Sequence, residues 1–152
     1  MLLHKQELVL DDFVAYRLSY TSGLVSDCIS AGYRSEFGLT VAEWRVVAHI
    51  AETEGITQQA IVERTRMDKV TVSRTAIALR RRGLVTRRSN PGDRRSQLLT
   101  LTRNGHTLYQ AIAPQVLELE RAVFGQFSAK ELQVFVAMLR RIDSAALDFL
   151  SG

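Results

Sequence analysis

The hydrophobic positions of this chain follow a helical period over most of its length. Between Val14 and Tyr33, apolar residues recur at roughly helical spacing, which predicts a long first helix ending near Ser35. Asp11 or Asp12 is expected to cap this helix, because a carboxylate can accept the free backbone N–H groups of a first turn.

Two further helix starts carry side-chain caps. Thr40 and Glu43 have the spacing of a capping box and predict a second helix that ends near Thr53. Thr57 is expected to cap a short third helix over residues 58–65.

A fourth helix is predicted to begin near Asp68, with Val72, Ala76 and Leu79 on its inward face. Gly83 is expected to end it, because glycine readily adopts the left-handed conformation found after many helices. Since only about three residues connect the third and fourth helices, the pair is a candidate helix-turn-helix.

The period then changes to that of a strand. Residues 85–88 and 97–101 are predicted strands, and the segment from Ser89 to Asp93 between them has the composition of a turn. A hairpin that directly follows the second helix of a helix-turn-helix is a wing.

Helices are predicted for the remainder of the chain. Residues 102–127 are expected to form a long helix with a kink at Pro114, and Ser128 with Glu131 forms a capping box ahead of the last helix. The apolar face of that helix consists of Leu132, Phe135, Val136, Leu139 and Ile142. The predicted fold class is mainly α, a winged helix-turn-helix with a two-stranded β wing.

The charge distribution indicates the kind of partner. Twelve basic and only two acidic residues lie between Arg64 and Arg103, whereas the rest of the chain has eight basic and fourteen acidic residues. Eleven of the twelve are arginines, which suit phosphates and guanine edges better than lysines do. Nucleic acid is therefore the expected partner.

Composition argues against several other classes. With 46% hydrophobic residues the chain can bury a core, yet no apolar run approaches the roughly 20 residues that cross a bilayer. We expect a cytoplasmic protein without membrane contact, enzyme signature or cofactor. The three histidines lack metal-ligand spacing, and Cys28 is expected to be a buried structural residue.

The outward face of the fourth helix is expected to contact DNA, because early residues of the second helix in a helix-turn-helix meet base edges. The expected contacts are Lys69, Val70, Thr71, Ser73 and Arg74. Arg74 can donate two hydrogen bonds to one guanine. The alternative is an ordinary solvated face, but the short preceding helix, the wing and the local charge favour DNA.

The tip of the wing is expected to enter a minor groove. Arg94 and Arg95 follow the turn, and an exposed arginine there suits the deep negative potential of narrow A·T-rich DNA. Asp93 is expected to orient one of these guanidinium groups by a charge-assisted hydrogen bond.

These motifs together resemble the multiple antibiotic resistance regulator (MarR) family. The residues that carry the resemblance are Lys69–Arg74, Arg82–Val85, Asp93–Arg95, Leu101–Thr102 and Gly105, with Leu39, Thr40 and Trp44 at the second helix. Its most specific part is the Asp-Arg-Arg wing that closes on Leu-Thr. The resemblance covers nearly the whole chain in element order.

The resemblance implies a homodimeric transcription regulator that binds pseudo-palindromic double-stranded DNA. Residues 1–37 and 103–152 would form a helical dimerisation region, and residues 38–102 the DNA-binding lobe. Many members of the family release DNA on binding small aromatic acids or their thioesters, between the dimer helices and this lobe. We therefore expect a repressor with such an effector.

The expected effector site combines arginines with aromatic rings, which suit an aromatic carboxylate. The candidate ligand-binding residues are Tyr16, Arg17, Tyr20, Trp44, Arg45 and His49. The alternative is that the rings belong to the core and Arg45 is a surface charge. The protein would then be a constitutive DNA-binding or architectural protein without a small-molecule effector.

Overall fold

The computed structural model describes residues 7–152 of the chain. Its elements, in chain order, are α1 Val14–Phe37, α2 Val41–Thr53, α3 Gln58–Thr65, α4 Lys69–Arg81, β1 Val85–Ser89, β2 Gln97–Leu101, α5 Arg103–Phe124 and α6 Ala129–Ser151. The predicted fold class, a mainly α winged helix-turn-helix with a two-stranded wing, is confirmed.

The start of α1 differs from the prediction. Asp11 and Asp12 lie in a short 3-10 turn, Leu10–Asp12, and α1 begins after Phe13 without a side-chain cap. The Asp11 carboxylate forms an ion pair with Arg17 instead, with 3.1 Å between Oδ1 and Nη1. The predicted cap was wrong because the chain turns once more before the helix begins.

The capping boxes form as predicted. Thr40 Oγ1 accepts the N–H of Glu43 at 3.0 Å, and Glu43 Oε1 accepts the N–H of Thr40 at 3.1 Å. Ser128 and Glu131 exchange the same two hydrogen bonds at the start of α6. Thr57 caps α3 by accepting the N–H of residue 60 at 3.1 Å. Each bond satisfies a backbone donor that the first turn of a helix leaves free.

The end of α4 connects directly to the wing. Gly83 has φ +71°, and its N–H donates to the carbonyl of Arg80 at 3.0 Å. The next N–H, that of Leu84, donates to the carbonyl of Leu79 at 3.0 Å. This pair of bonds is a Schellman motif and confirms the predicted helix end. Because β1 starts one residue later, the wing leaves α4 at a defined place.

The wing is an antiparallel hairpin that pairs Val85 with Leu101 and Ser89 with Gln97 at its two ends. A third segment, which the sequence did not predict, joins it at Ile56. The N–H of Ile56 donates to the carbonyl of Leu99 at 3.1 Å, and the reverse bond measures 2.8 Å. The segment before α3 is thus attached to β2.

The helix after the wing is shorter than predicted. Thr102 lies ahead of α5 and caps it, because its Oγ1 accepts the N–H of Gly105 at 3.0 Å. The helix ends at Phe124 rather than near residue 127. Pro114 lies inside it, and the kink expected there stays a prediction.

The chain divides into two compact units, one that ends at Leu117 and one that covers Glu118–Gly152. The first unit contains the core, whose buried residues come from α1, α2, α3, α4, the wing and α5, and from the connecting residues Leu39, Ile56 and Leu84. The second unit contains the end of α5 and all of α6, and no residue of α6 is buried within the described chain. The predicted boundaries of a dimerisation region and a DNA-binding lobe stay a prediction.

Cys28 lies on α1 and is exposed, so its predicted burial was wrong. The buried residues of α1 are Ser30 and Tyr33, three positions apart. A residue two positions before Ser30 points to the opposite side of the helix, since each residue rotates the side-chain direction by about 100°.

Candidate nucleic-acid interface and effector site

The helix α4 has one fully buried face and one exposed face. Val72, Ala76 and Leu79 are each 0% exposed and pack in the core, as the sequence predicted. Val70 is 56% exposed, and Arg74 one turn later is also exposed. The apolar stripe therefore holds α4 in place, and the opposite face is open to a partner.

The start of α4 is held by Asp68. Its carboxylate accepts the backbone N–H of Thr71 at 2.8 Å and the Thr71 hydroxyl at 2.6 Å. The hydrogen bonds from Thr71 lower the pKa of Asp68 below its ordinary value, because they favour the charged form of the carboxyl group. A negative charge also suits the positive end of the helix dipole.

The residues of α4 that are predicted to contact DNA differ in how exposed their side chains are. Lys69, Val70 and Arg74 are exposed, whereas Thr71 and Ser73 are half-buried. The Thr71 hydroxyl proton is used by Asp68, which leaves this hydroxyl as an acceptor. That these residues contact DNA stays a prediction.

The tip of the wing is ordered by its own polar groups. Asn90 Oδ1 accepts the N–H of Gly92 at 3.1 Å, and Asn90 Nδ2 donates to Ser96 Oγ at 2.9 Å. Asp93 Oδ1 accepts the backbone N–H of Arg95 at 2.9 Å. These bonds hold the turn in one shape.

The prediction that Asp93 pairs with a guanidinium group at the wing tip was wrong. Asp93 makes an Asx turn with the backbone of Arg95, and the chain described here contains no ion pair between Asp93 and a guanidinium group. Arg94 and Arg95 are both exposed. Their charged groups are therefore available to a partner.

A cleft of about 620 Å³ lies between the start of α3 and the wing. Its lining residues are Thr57, Gln58, Gln59, Arg87, Asn90, Asp93, Arg94, Arg95, Ser96, Gln97 and Leu99. The sequence pattern did not single out Arg87 or the two glutamines. Arg87 belongs to the basic segment between Arg64 and Arg103. The alternation of side chains along a strand shows that Arg87 and Arg88 face opposite sides, but it does not show which of them faces α3.

An aromatic cluster surrounds Trp44. Its ring lies 5.6 Å from that of Tyr33 and 5.7 Å from that of Tyr109, measured between ring centroids. Burial raises the pKa of Tyr33, while the charges of Arg45 and Arg34 oppose that rise. The sequence did not indicate that Tyr33 and Tyr109 would contact Trp44, because they come from α1 and α5 and meet only in the folded chain.

The other residues predicted to bind a ligand fall into two groups. Tyr16 and Tyr20 are exposed on α1, with ring centroids 6.2 Å apart, and the Arg17 guanidinium lies 5.5 Å from the centre of the Tyr20 ring. On α2, Arg45 is exposed and His49 is half-buried. No hydrogen bond, ion pair or ring contact joins the two groups within residues 7–152.

His49 carries the one buried side-chain polar atom that has no hydrogen-bond partner among the described side chains, its Nδ1. The same part of the chain contains no cluster of three residues able to hold a metal ion. Its helices also include none with the length and apolar character needed to span a bilayer.

A helix-turn-helix followed by a wing, with a basic exposed surface, defines a winged helix DNA-binding domain. The sequence profile described as "MarR family" matches residues 37–96. The transcriptional regulator HosA of Escherichia coli O157:H7 is 30% identical over 104 residues, which are 68% of this chain and 77% of HosA.

Solved structures show the same fold. A MarR/EmrR family transcriptional regulator from Acinetobacter sp. ADP1 superposes with a TM-score of 0.85 at 20% identity, over 93% of this chain and 99% of that one. CouR from Rhodococcus jostii RHA1, bound to p-coumaroyl-CoA, gives 0.80 at 24% identity, over 90% and 95%. The chain belongs to the MarR family and is a DNA-binding transcription regulator.

Proposed function

We propose that the chain is a homodimeric repressor that binds a pseudo-palindromic operator and releases it on binding an aromatic carboxylate or its thioester. The observation that carries the DNA part is the division of α4 into a buried stripe and an open face with Val70 and Arg74. In this proposal α4 enters a major groove, while Arg94 and Arg95 at the wing tip enter the adjacent minor groove.

The dimer is supported by apolar side chains that the single chain leaves exposed. Near the first helix these are Leu8, Val9, Leu10, Phe13, Val14, Leu18 and Leu24, and on α6 they are Val134, Phe135, Val136, Met138, Ile142, Leu147, Phe149 and Leu150. Apolar surface of this extent marks an interaction site. We assign residues 1–37 and 103–152 to a two-fold interface, of which residues 1–6 lie outside the described part of the chain, and residues 38–102 to DNA binding.

The effector site is proposed at the aromatic cluster of Tyr33, Trp44 and Tyr109. A cluster of aromatic rings suits an aromatic ligand, and the charge of Arg45, which acts on Tyr33, supplies a cation for its carboxylate. CouR, which shares the fold, was solved with an aromatic thioester. Arg17, with Tyr16 and Tyr20, is the second candidate for holding the carboxylate, and His49 on α2 is a further candidate contact.

Binding assays test both halves of the proposal. A DNA site is first selected from a random duplex library, and benzoates and cinnamates are then titrated into the protein by calorimetry, with and without that site. If the effector weakens DNA binding by a given factor, bound DNA must weaken effector binding by the same factor. Arg45→Ala should abolish ligand binding and Arg17→Ala should preserve it.

The results also separate the alternatives. If Arg17→Ala abolishes ligand binding and Arg45→Ala preserves it, the effector site lies on α1. If the protein selects a DNA site but binds no aromatic acid, a constitutive DNA-binding protein would be favoured. A stable monomer in light scattering that binds a single half-site tightly would contradict the dimer, whose half-sites should lie roughly 10 base pairs apart.

A further inference from the structure

The cleft between α3 and the wing is distinct from the exposed face of α4 and includes the tip of the wing, because Arg94 and Arg95 are among its lining residues. One wall is the first turn of α3, with Thr57, Gln58 and Gln59. The opposite wall is the wing, with Arg87 on β1 and with Arg94 and Arg95 at its tip. The walls therefore combine a cation with polar groups.

Arg87 and its neighbour Arg88 point to opposite faces of the hairpin. Arg87 pairs with Leu99, which lines the cleft, whereas Arg88 pairs with Leu98, which does not. Arg88 donates to the carbonyl of Glu54 at 3.4 Å on the other face. The alternation of a strand thus places one arginine in the cleft and the next outside it.

The cleft is positively charged, and the Arg87 side chain has no acidic partner within it. Three arginines line it, against one acid, Asp93, one of whose oxygens accepts the backbone N–H of Arg95. The Arg87 guanidinium has no hydrogen bond or ion pair with any residue from 7 to 152. An exposed cation that faces polar groups suits a phosphate.

We propose that this cleft holds one sugar–phosphate strand of duplex DNA, with Arg87 as a direct phosphate ligand. When α4 lies in a major groove and the wing tip in the adjacent minor groove, the strand that separates the grooves must cross between them. Both walls of the cleft, α3 and β1, contact α4. The proposal rests on the proposed function, because it requires that α4 and the wing engage DNA.

Salt dependence tests the proposal without knowledge of the operator. Binding to a short random-sequence duplex is measured over a series of KCl concentrations for the wild type, Arg87→Gln, Arg88→Gln and the double variant Arg94→Gln/Arg95→Gln. Losing one phosphate contact should reduce the log–log slope by about 0.9 for Arg87→Gln, and Arg88→Gln should keep the wild-type slope. The affinity advantage of the wild type over Arg87→Gln should shrink about 3.5-fold between about 50 and about 200 mM salt.

Arg87→Lys provides the check on folding, since it keeps the charge and should retain the wild-type slope. Equal slope losses in Arg87→Gln and Arg88→Gln would overturn the proposal, because they would report general charge and not the cleft. An unchanged slope in Arg87→Gln, with a reduced slope in the wing-tip double variant, would also overturn it while leaving the proposed function intact. Failure of the wild type to bind any duplex would instead refute the proposed function.

Discussion

Arg82, just past the end of α4, donates a hydrogen bond from Nη2 to the carbonyl oxygen of Phe37 at 2.9 Å. Its Nη1 donates to the carbonyl of Gly38 at 3.2 Å and lies 3.7 Å from Glu43 Oε2. The last carbonyls of a helix have no partner within that helix, and the Arg82 guanidinium satisfies that of Phe37, the last residue of α1, and that of Gly38, which follows it. The end of α1 is thereby attached to the end of α4.

Arg82→Gln should lower the free energy of unfolding by roughly 0.5–1.5 kcal/mol, because the two carbonyls lose a charged donor. The lower half of this range is expected, since the side chain is 39% exposed and its ion pair is partly screened. Urea denaturation measures the change. Arg81→Gln is the matched control, because Arg81 is exposed and has no side-chain partner in the described part of the chain. Equal losses in the two variants would contradict the role of the Arg82 bonds.

Gly105→Ala should destabilise the protein by about 1–3 kcal/mol or more. A Cβ at this position would lie 2.1 Å from the carbonyl oxygen of Leu84. That carbonyl cannot easily move, because it accepts the N–H of Thr102 at 3.0 Å. Gly23 on α1 is the contrast: a Cβ there would meet nothing within 4 Å. Gly23→Ala should stabilise by roughly 0.5–1 kcal/mol, and thermal and urea unfolding of both variants would show whether the signs differ.

The cap of α4 should make part of the stability depend on pH. The folded-state pKa of Asp68 is lowered, so its stabilisation is complete above its ordinary pKa of 3.8 and is lost as the pH falls through the folded-state value. Asp68→Asn is the matched variant, because asparagine also caps helices but does not titrate. The difference in melting temperature between the wild type and this variant should therefore shrink on acidification, and two parallel pH curves would contradict the assignment.

Arg74→Ala should cost roughly 1–3 kcal/mol of binding to a selected site and relax the preference at one base pair in each half-site. The reason is that an exposed arginine on the outer face of α4 can donate two hydrogen bonds to guanine. Repeating the DNA selection with the variant measures the change in preference. Lys69→Ala serves as the control and should weaken binding to selected and to random duplexes equally. The same uniform loss with Arg74→Ala would make Arg74 a phosphate contact.

The sequence was sufficient for features that depend on neighbours in the chain. The capping boxes, the Gly83 helix end and the buried stripe of α4 involve residues only a few positions apart. Their geometry follows from helix periodicity and the hydrogen bonds of a first or last turn. Local predictions failed at the start of α1, where two plausible caps precede an extra turn before the helix, and at Asp93, which accepts a backbone N–H instead of pairing with a guanidinium group.

Only the tertiary structure decided which distant residues meet. Trp44 contacts rings from α1 and α5, Arg82 reaches Phe37, and the strand alternation that places Arg87 opposite α3 takes effect only because Ile56 pairs with Leu99. These contacts join residues as much as 65 positions apart, as between Trp44 and Tyr109. Local propensity and periodicity do not specify such pairs, because they arise when the apolar faces of several elements are buried together in one core.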